Sequence, residues 1–213
     1  MNNVISNDMS VSDFLDLYNR FQILGETLVI DDIQYLVKDN EIYLCGVSKN
    51  YGKEYIVSNF ITMIDSMAFM DSTVKSFILG NSVKSIGAYC FSDSTLNSVE
   101  LNSDIVLNRS AFESCLYLKE IINSHYIKSV GQYCFYKTAR LKRLNLSNAD
   151  FIDSFAFLNS SVEELVLKSD VVCKKDTFFN MLHLSTVYIK GKQNIELENL
   201  LKDEKFNVKI QYI

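Results

Sequence analysis

The sequence predicts an α/β repeat solenoid, a right-handed stack of similar coils with one short parallel strand per 21–23-residue repeat. Three observations carry this. Six phenylalanines, Phe69, Phe91, Phe112, Phe135, Phe157 and Phe178, follow one another at intervals of 22, 21, 23, 22 and 21 residues. Aligned on them, apolar columns recur. Five residues before each anchor stand Ile64, Ile86, Leu107, Val130, Ile152 and Cys173; five or six after stand Val74, Leu96, Leu118, Leu141, Val162 and Leu184. Further on come Phe77, Val99, Ile121, Leu144, Leu165 and Val187, and two residues later Leu79, Leu101, Asn123, Leu146, Leu167 and Ile189. The third observation is the alternation of apolar and polar residues around these last two columns, as in "SVELN", "KRLNLSN" and "EELVLKS", which is the period of a short strand.

Taken in chain order, the first sixty residues read as an N-terminal cap. Phe14, Leu15, Tyr18 and Phe21 are spaced for a helix that Ser10 or Ser12 would cap and Gly25 would end. "DIQYLVKDNEIYLCGV" (32–47) alternates on both sides of a Lys-Asp-Asn-Glu turn and reads as a hairpin; "KEYIVSNF" (53–60) leads a further strand into the first repeat. The helix is expected to pack on this cap, the alternative being that it projects to a partner. Residues 61–190 hold the six repeats. In each, the limb around the Ala/Cys-Phe pair is too short for a long helix, so short helical turns are expected. Asp65, Gly87, Asn108, Gly131 and Asp153 stand where each unit is expected to turn with positive φ, and Lys174 in the same column predicts a distorted last unit. Residues 191–213 read as a C-terminal cap: "NIELENLLKDEKFNVKIQYI" (194–213) is an amphipathic helix and a final strand.

The pattern aliphatic-Gly-x-x-Ala/Cys-Phe, then x-x-Cys-x-x-Leu, then x-x-Val-x-Leu resembles the BspA-like, or Treponema pallidum-type, leucine-rich repeats. "SVKSIGAYCF" (82–91), "YIKSVGQYCF" (126–135) and "RSAFESCLYLKEI" (109–121) carry the resemblance. It departs from the family in having no proline after the strand; Gly80 stands at one such place. The resemblance implies a curved leucine-rich-repeat solenoid used for protein recognition, often on the surfaces of bacteria and protists, with related repeats in phage and viral proteins.

The remaining composition narrows the function. The 213 residues carry a net charge of -5, against a dedicated nucleic-acid binder. The start has neither the cationic nor the apolar region of a secretory signal, and no apolar run approaches membrane-spanning length, so a cytoplasmic location is the expectation. A chain trimmed of its signal would read the same way, and a cell-surface, adhesion or host-interaction module is the alternative. Five cysteines, an odd number, do not form a disulfide framework. Cys90 and Cys134 fill a slot that holds Ala in three other units, and Cys173 fills the aliphatic slot; core packing explains them, and Cys115 and Cys45 too. His125 and His183 fall in different phases of the repeat and pair with no Cys at zinc-type spacing. The expectation is therefore a protein without catalytic residues, cofactor or metal, a Cys-dependent enzyme being the remote rival.

Two surfaces stand out. Lys128, Lys137, Arg140, Lys142 and Arg143 form a stretch without an acid between Glu120 and Asp150, which reads first as a solvated face and second as a patch for an acidic partner. Between the inward columns of the strands lies an outward one, Ile78, Glu100, Ile122, Asn145, Val166 and Tyr188, flanked by Glu120, Arg143 and Glu164. An apolar stripe with charged rims suits a protein partner. These nine residues are the candidate binding site, and an imperfectly covered end would let two copies associate.

Overall fold

The computed structural model describes residues 10–21, 28–30, 33–38, 41–47, 52, 54–203 and 207–213. Its N-terminal part holds α1 (Val11–Phe21), β1 (Leu28–Ile30), β2 (Ile33–Lys38), β3 (Glu41–Val47) and β4 (Glu54–Ile56). Then β5 (Met63–Ile64), β6 (Ser76–Ile78), β7 (Ser85–Ile86), β8 (Ser98–Glu100), β9 (Ile105–Leu107) and β10 (Glu120–Ile122) lead to a 3₁₀ turn at Ser124–Tyr126. After it come β11 (Ile127–Val130), β12 (Arg143–Leu146), β13 (Phe151–Ile152), β14 (Glu164–Lys168), β15 (Val172–Cys173) and β16 (Thr186–Lys190). The chain ends with α2 (Ile195–Asp203) and β17 (Lys209–Tyr212).

The expected parallel strand of each repeat is present, on β6, β8, β10, β12, β14 and β16. Each coil carries a second strand as well, at the aliphatic slot. These short strands extend the hairpin into one nine-stranded sheet, β1-β2-β3-β5-β7-β9-β11-β13-β15. Between the sheets lies the phenylalanine ladder. All six anchors are at most 1% exposed, and successive rings from Phe69 to Phe157 stack at 5.2–5.7 Å with interplanar angles of 2–22°. No coil buries its own ring; the neighbours above and below do. Each such pair adds about 0.5–1.5 kcal/mol beyond the area it buries.

The return limb differs from expectation. It holds no helical piece but a run of tight turns, with i to i+3 hydrogen bonds such as Cys90 N–H to Gly87 O and Ser92 N–H to Tyr89 O. Positive φ does not occur at Gly87, Gly131 or the Asx residues aligned with them. It falls two residues before and two after the phenylalanine, at Met67, Tyr89, Ser110, Tyr133 and Phe155, and at Asp71, Asp93, Ser114, Lys137, Asn159 and Asn180. At eight of these eleven positions, all but Tyr133, Asn159 and Asn180, the N–H group bonds along the stack to a carbonyl of the next coil. Met67 N–H reaches Ala88 O at 2.9 Å, and Asp71 N–H reaches Ser92 O at 3.0 Å. The ladder bonds thus offset a conformational cost of about 1–2 kcal/mol per residue. The glycines serve close approach: a Cβ on Gly87 would lie 2.4 Å from Ser66 N, and one on Gly131 2.6 Å from Arg109 N. In the last unit the first left-handed position, Asp176, has no positive φ; that unit is irregular, but not for the reason expected of Lys174, whose column is left-handed in none of the units.

At the N-terminal end, α1 packs through Phe14 on Tyr35 of β2 and on Phe60. Ser10 Oγ accepts the Asp13 N–H at 3.1 Å and donates to Asp13 Oδ2 at 2.7 Å, so Ser10 rather than Ser12 is the cap. Phe14 is buried, stacked on Phe60 at 4.6 Å and edge-on to Tyr35 at 5.5 Å. Gly25 lies outside the described residues, as do the side chains of Tyr18 and Phe21. The hairpin forms, with Lys38 opposite Glu41. At the back, Asn194 caps α2 by accepting the Leu197 N–H at 3.0 Å, Leu197 and Leu201 are buried against the last coil, and β17 pairs in parallel with β16.

Candidate interaction surface

The strands opposite the nine-stranded sheet do not form the single six-stranded sheet that uniform stacking predicts. They form two four-stranded parallel sheets, β4-β6-β8-β10 and β12-β14-β16-β17. The break lies in the third coil. Asn123 occupies a column that is otherwise aliphatic, and it cannot be buried there without leaving its amide unsatisfied. Instead its backbone turns left-handed (φ 59°), its side chain stays outside and donates to Leu101 O at 3.1 Å, and Ser124 is buried in its place. Strand β10 ends, and the Ser124 hydroxyl accepts the Asn145 N–H at 3.0 Å across the seam. The extra residue of this 23-residue unit is taken up as a register shift between Ile127 and Ser129 on the other sheet.

On the first sheet the register aligns Ile56, Ile78, Glu100 and Ile122 as one outward column, and Glu54, Ser76, Ser98 and Glu120 as its flank. Ile122 is 41% exposed and Ile56 44%; Ile78 and Glu100 are half-buried. On the second sheet Asn145, Val166, Tyr188 and Gln211 align, flanked by Arg143, Glu164, Thr186 and Lys209. Arg143 and Glu164 form a two-pronged pair, Nε to Oε2 at 3.0 Å and a second guanidinium nitrogen to Oε1 at 3.2 Å. The nine candidate residues therefore fall into two groups, Ile78, Glu100, Glu120 and Ile122 on one side of the seam and Arg143, Asn145, Glu164, Val166 and Tyr188 on the other. Glu54 and Ile56, and Lys209 and Gln211, were missed. The alternation of "EYI" and "KIQY" could have found them, since each continues its column by one rung.

The basic stretch is dispersed. Lys128 lies on the nine-stranded sheet, 3.4 Å from Asp104; Lys142 meets Glu163 at 2.6 Å, holding that carboxyl below its ordinary range; Arg140 and Lys137 lie over the rings of Tyr117 and Tyr136. Each of these partners comes from a neighbouring coil or the same turn, so the stretch is a solvated, internally paired face.

The thiols are packing groups. Cys90, Cys115 and Cys134 are buried, and burial raises the pKa of each, Cys115 to about 12. The Cys115 thiol donates to Phe91 O at 2.9 Å. Half-buried Cys173 is raised to about 12 by burial, and Cys45 to about 11 by burial and then by the Asp65 carboxylate. His125 sits in the 3₁₀ turn against Tyr126, while His183 is exposed in the last coil. Among the described residues no three His, Cys, Asp or Glu side chains converge as metal ligands. None of the described helices is long and apolar enough to cross a membrane.

A stack of parallel-stranded coils around an aromatic and aliphatic ladder defines a leucine-rich-repeat solenoid. The model of the BspA-type leucine-rich repeat region matches residues 62–185 in six copies, more than half of the chain, and the protein belongs to that family. The leucine-rich-repeat protein of T. pallidum has a similar fold: TM-score 0.65 and 16% identity, over 88% of this chain and 100% of that one. The pneumococcal vaccine antigen PcpA matches with TM-score 0.55 and 17% identity, over 89% of this chain and 48% of its own. A leucine-rich cell surface protein from Faecalibacterium prausnitzii matches with TM-score 0.53 and 14% identity, over 78% of this chain and 55% of its own. No curated protein matches the sequence significantly.

Proposed function

We propose that this protein is a non-catalytic scaffold that binds another protein through its strand face, with repeats at 61–190 held between an N-terminal cap (1–60) and a C-terminal cap (191–213). The observation that supports this reading is the outward column Ile56, Ile78, Glu100 and Ile122, in register across four paired strands, with three isoleucines beside the carboxylates of Glu54, Glu100 and Glu120. Isoleucine presented to solvent on ordered backbone supplies contact area without an ordering cost on binding, and the flanking charges select the partner. Ile122→Asp and Tyr188→Asp should each abolish capture of the partner by the immobilised protein, read by mass spectrometry, while leaving the thermal unfolding midpoint within a few degrees of wild type. Partner capture unchanged in both variants rejects the surface.

A second reading concerns where the scaffold works. Two proteins of similar fold are described as a vaccine antigen and a cell surface protein, which favours display outside the cell over a cytoplasmic location. Labelling of intact cells with a membrane-impermeant amine reagent separates the two: labelled protein supports surface display, and protein labelled only after lysis supports the cytoplasm.

A further inference from the structure

The two halves of the strand face carry opposite charge. The outward positions of the first sheet hold Glu54, Glu100 and Glu120 and no base. Those of the second sheet hold Arg143, Lys168, Lys190 and Lys209 against the single acid Glu164, which Arg143 already engages. Lys168 is drawn toward Asp150 and Asp170 at the edge, but Lys190 and Lys209 are exposed. The seam between β10 and β12 is thus also the divide between an acidic and a basic field. The rim lysines Lys75 and Lys119 reduce the acidic side without reversing the contrast.

Eight strands at a spacing of ~4.8 Å give a face ~34 Å long, and the centres of its halves lie ~19 Å apart. That exceeds the Debye length of ~8 Å at physiological salt, so the two fields do not cancel. From this polarity we infer that the face takes a protein segment of segregated charge lying along the stack, its basic end over β4–β10, its acidic end over β12–β17, and an apolar residue near Ile122. An extended segment of about ten residues spans the distance. The inference rests on the strand face being the binding surface. A nucleic acid fits badly, because its uniform phosphates would meet Glu54, Glu100 and Glu120. A second copy related by a two-fold axis at the seam would match Glu54 with Lys209 and Glu120 with Arg143. It would also set Ile78 on Tyr188, but Glu100 on Val166 and Ile56 and Ile122 on the amides of Gln211 and Asn145, leaving three of the four pairs of the outward column unmatched.

The test uses the full chain and two synthetic twelve-residue peptides of identical composition: a lysine block, two central isoleucines and a glutamate block, against a version with lysine and glutamate alternating. Binding is measured by fluorescence anisotropy at physiological salt and located by a photo-crosslinker at the lysine end. The segregated peptide is expected to bind at least tenfold tighter, to crosslink within β4–β10, and to lose its advantage on E54Q/E100Q/E120Q. Equal affinity of both peptides, crosslinked to the strand face, overturns the inference and leaves the face as a binding surface. Crosslinks elsewhere overturn both. A concentration-dependent dimer that E54K/E120K disperses overturns it in favour of a second copy.

Discussion

A methyl group on Gly131 would stand 2.6 Å from Arg109 N and 3.0 Å from Asn108 O, against backbone that the neighbouring coils hold in place. Because neither atom can swing aside as a side-chain tip would, Gly131→Ala should destabilise the protein by about 1–3 kcal/mol, read as a lower denaturant midpoint at unchanged slope. The column that holds Gly87 and Gly131 was legible as special, but not for its reason. Asp, Asn and Gly share tolerance of positive φ, and a single chain does not distinguish that from a need for close approach. The actual left-handed positions include Tyr89, Tyr133 and Phe155, residue types that carry no such signal. For Tyr89 and Phe155 the N–H group bonds to a carbonyl of the next coil, Arg109 O and Asp176 O, a partner some twenty residues away. The Asx-rich positions Asp71, Asp93, Asn159 and Asn180, by contrast, were readable. For Cys90 and Cys134 the sequence sufficed, since a slot shared with alanine admits only small buried groups. The cysteines' raised pKa values predict slow labelling of all five thiols by a thiol-reactive probe in the native state, Cys45 and Cys173 leading; one fast thiol would revive a reactive site.

Among the elements, α2 and β17 are joined by one carboxylate. Glu198 accepts the Tyr212 hydroxyl at 2.6 Å, Lys202 Nζ at 2.9 Å and Gln193 Nε2 at 3.0 Å, and these bonds lower its pKa to about 2. A folded-state pKa below the unfolded one, about 4.3, stabilises the fold fully above that value and is lost as pH falls through about 2. The amides of β17 should therefore lose hydrogen-exchange protection between roughly pH 4.5 and 2. Glu198→Gln should flatten that dependence; an unchanged profile would show that the cluster does not hold the strand. The helix, the hairpin and the final strand were each visible in the sequence, because each spans enough residues to show its period. The second ladder of the solenoid was not, because its two-residue strands such as β5, β7 and β13 are shorter than one period of any pattern and exist only by pairing with their neighbours.

At the scale of the molecule, the seam poses a question of cooperativity. A stack of coils is nearly one-dimensional, so a weak interface can split it into independently unfolding halves. Between the third and fourth coils the strand face has lost its ladder, and the Ser124–Asn145 hydrogen bond bridges it there. Two other connections remain continuous. The nine-stranded sheet crosses the seam through β9, β11 and β13, and Phe112 stacks on Phe135 at 5.7 Å and 2°. The return limb crosses it too, with Phe112 N–H to Cys134 O at 2.9 Å and Ser114 N–H to Tyr136 O at 2.8 Å. Two intact sides out of three should keep the halves coupled, and the wild-type chain should unfold in one transition, with far-ultraviolet circular dichroism and tyrosine fluorescence coincident. Phe135→Ala removes the ring that spans the seam, at about 3–5 kcal/mol. Because that loss falls at the interface already lacking a ladder, the variant should separate the two probes and lower the apparent slope. Phe91→Ala, an equivalent ring inside the first unbroken sheet, should shift the midpoint as far while keeping a single transition. If both variants behaved alike, the seam would be a feature of the surface alone, and the coils would be coupled through their core without regard to the strand face.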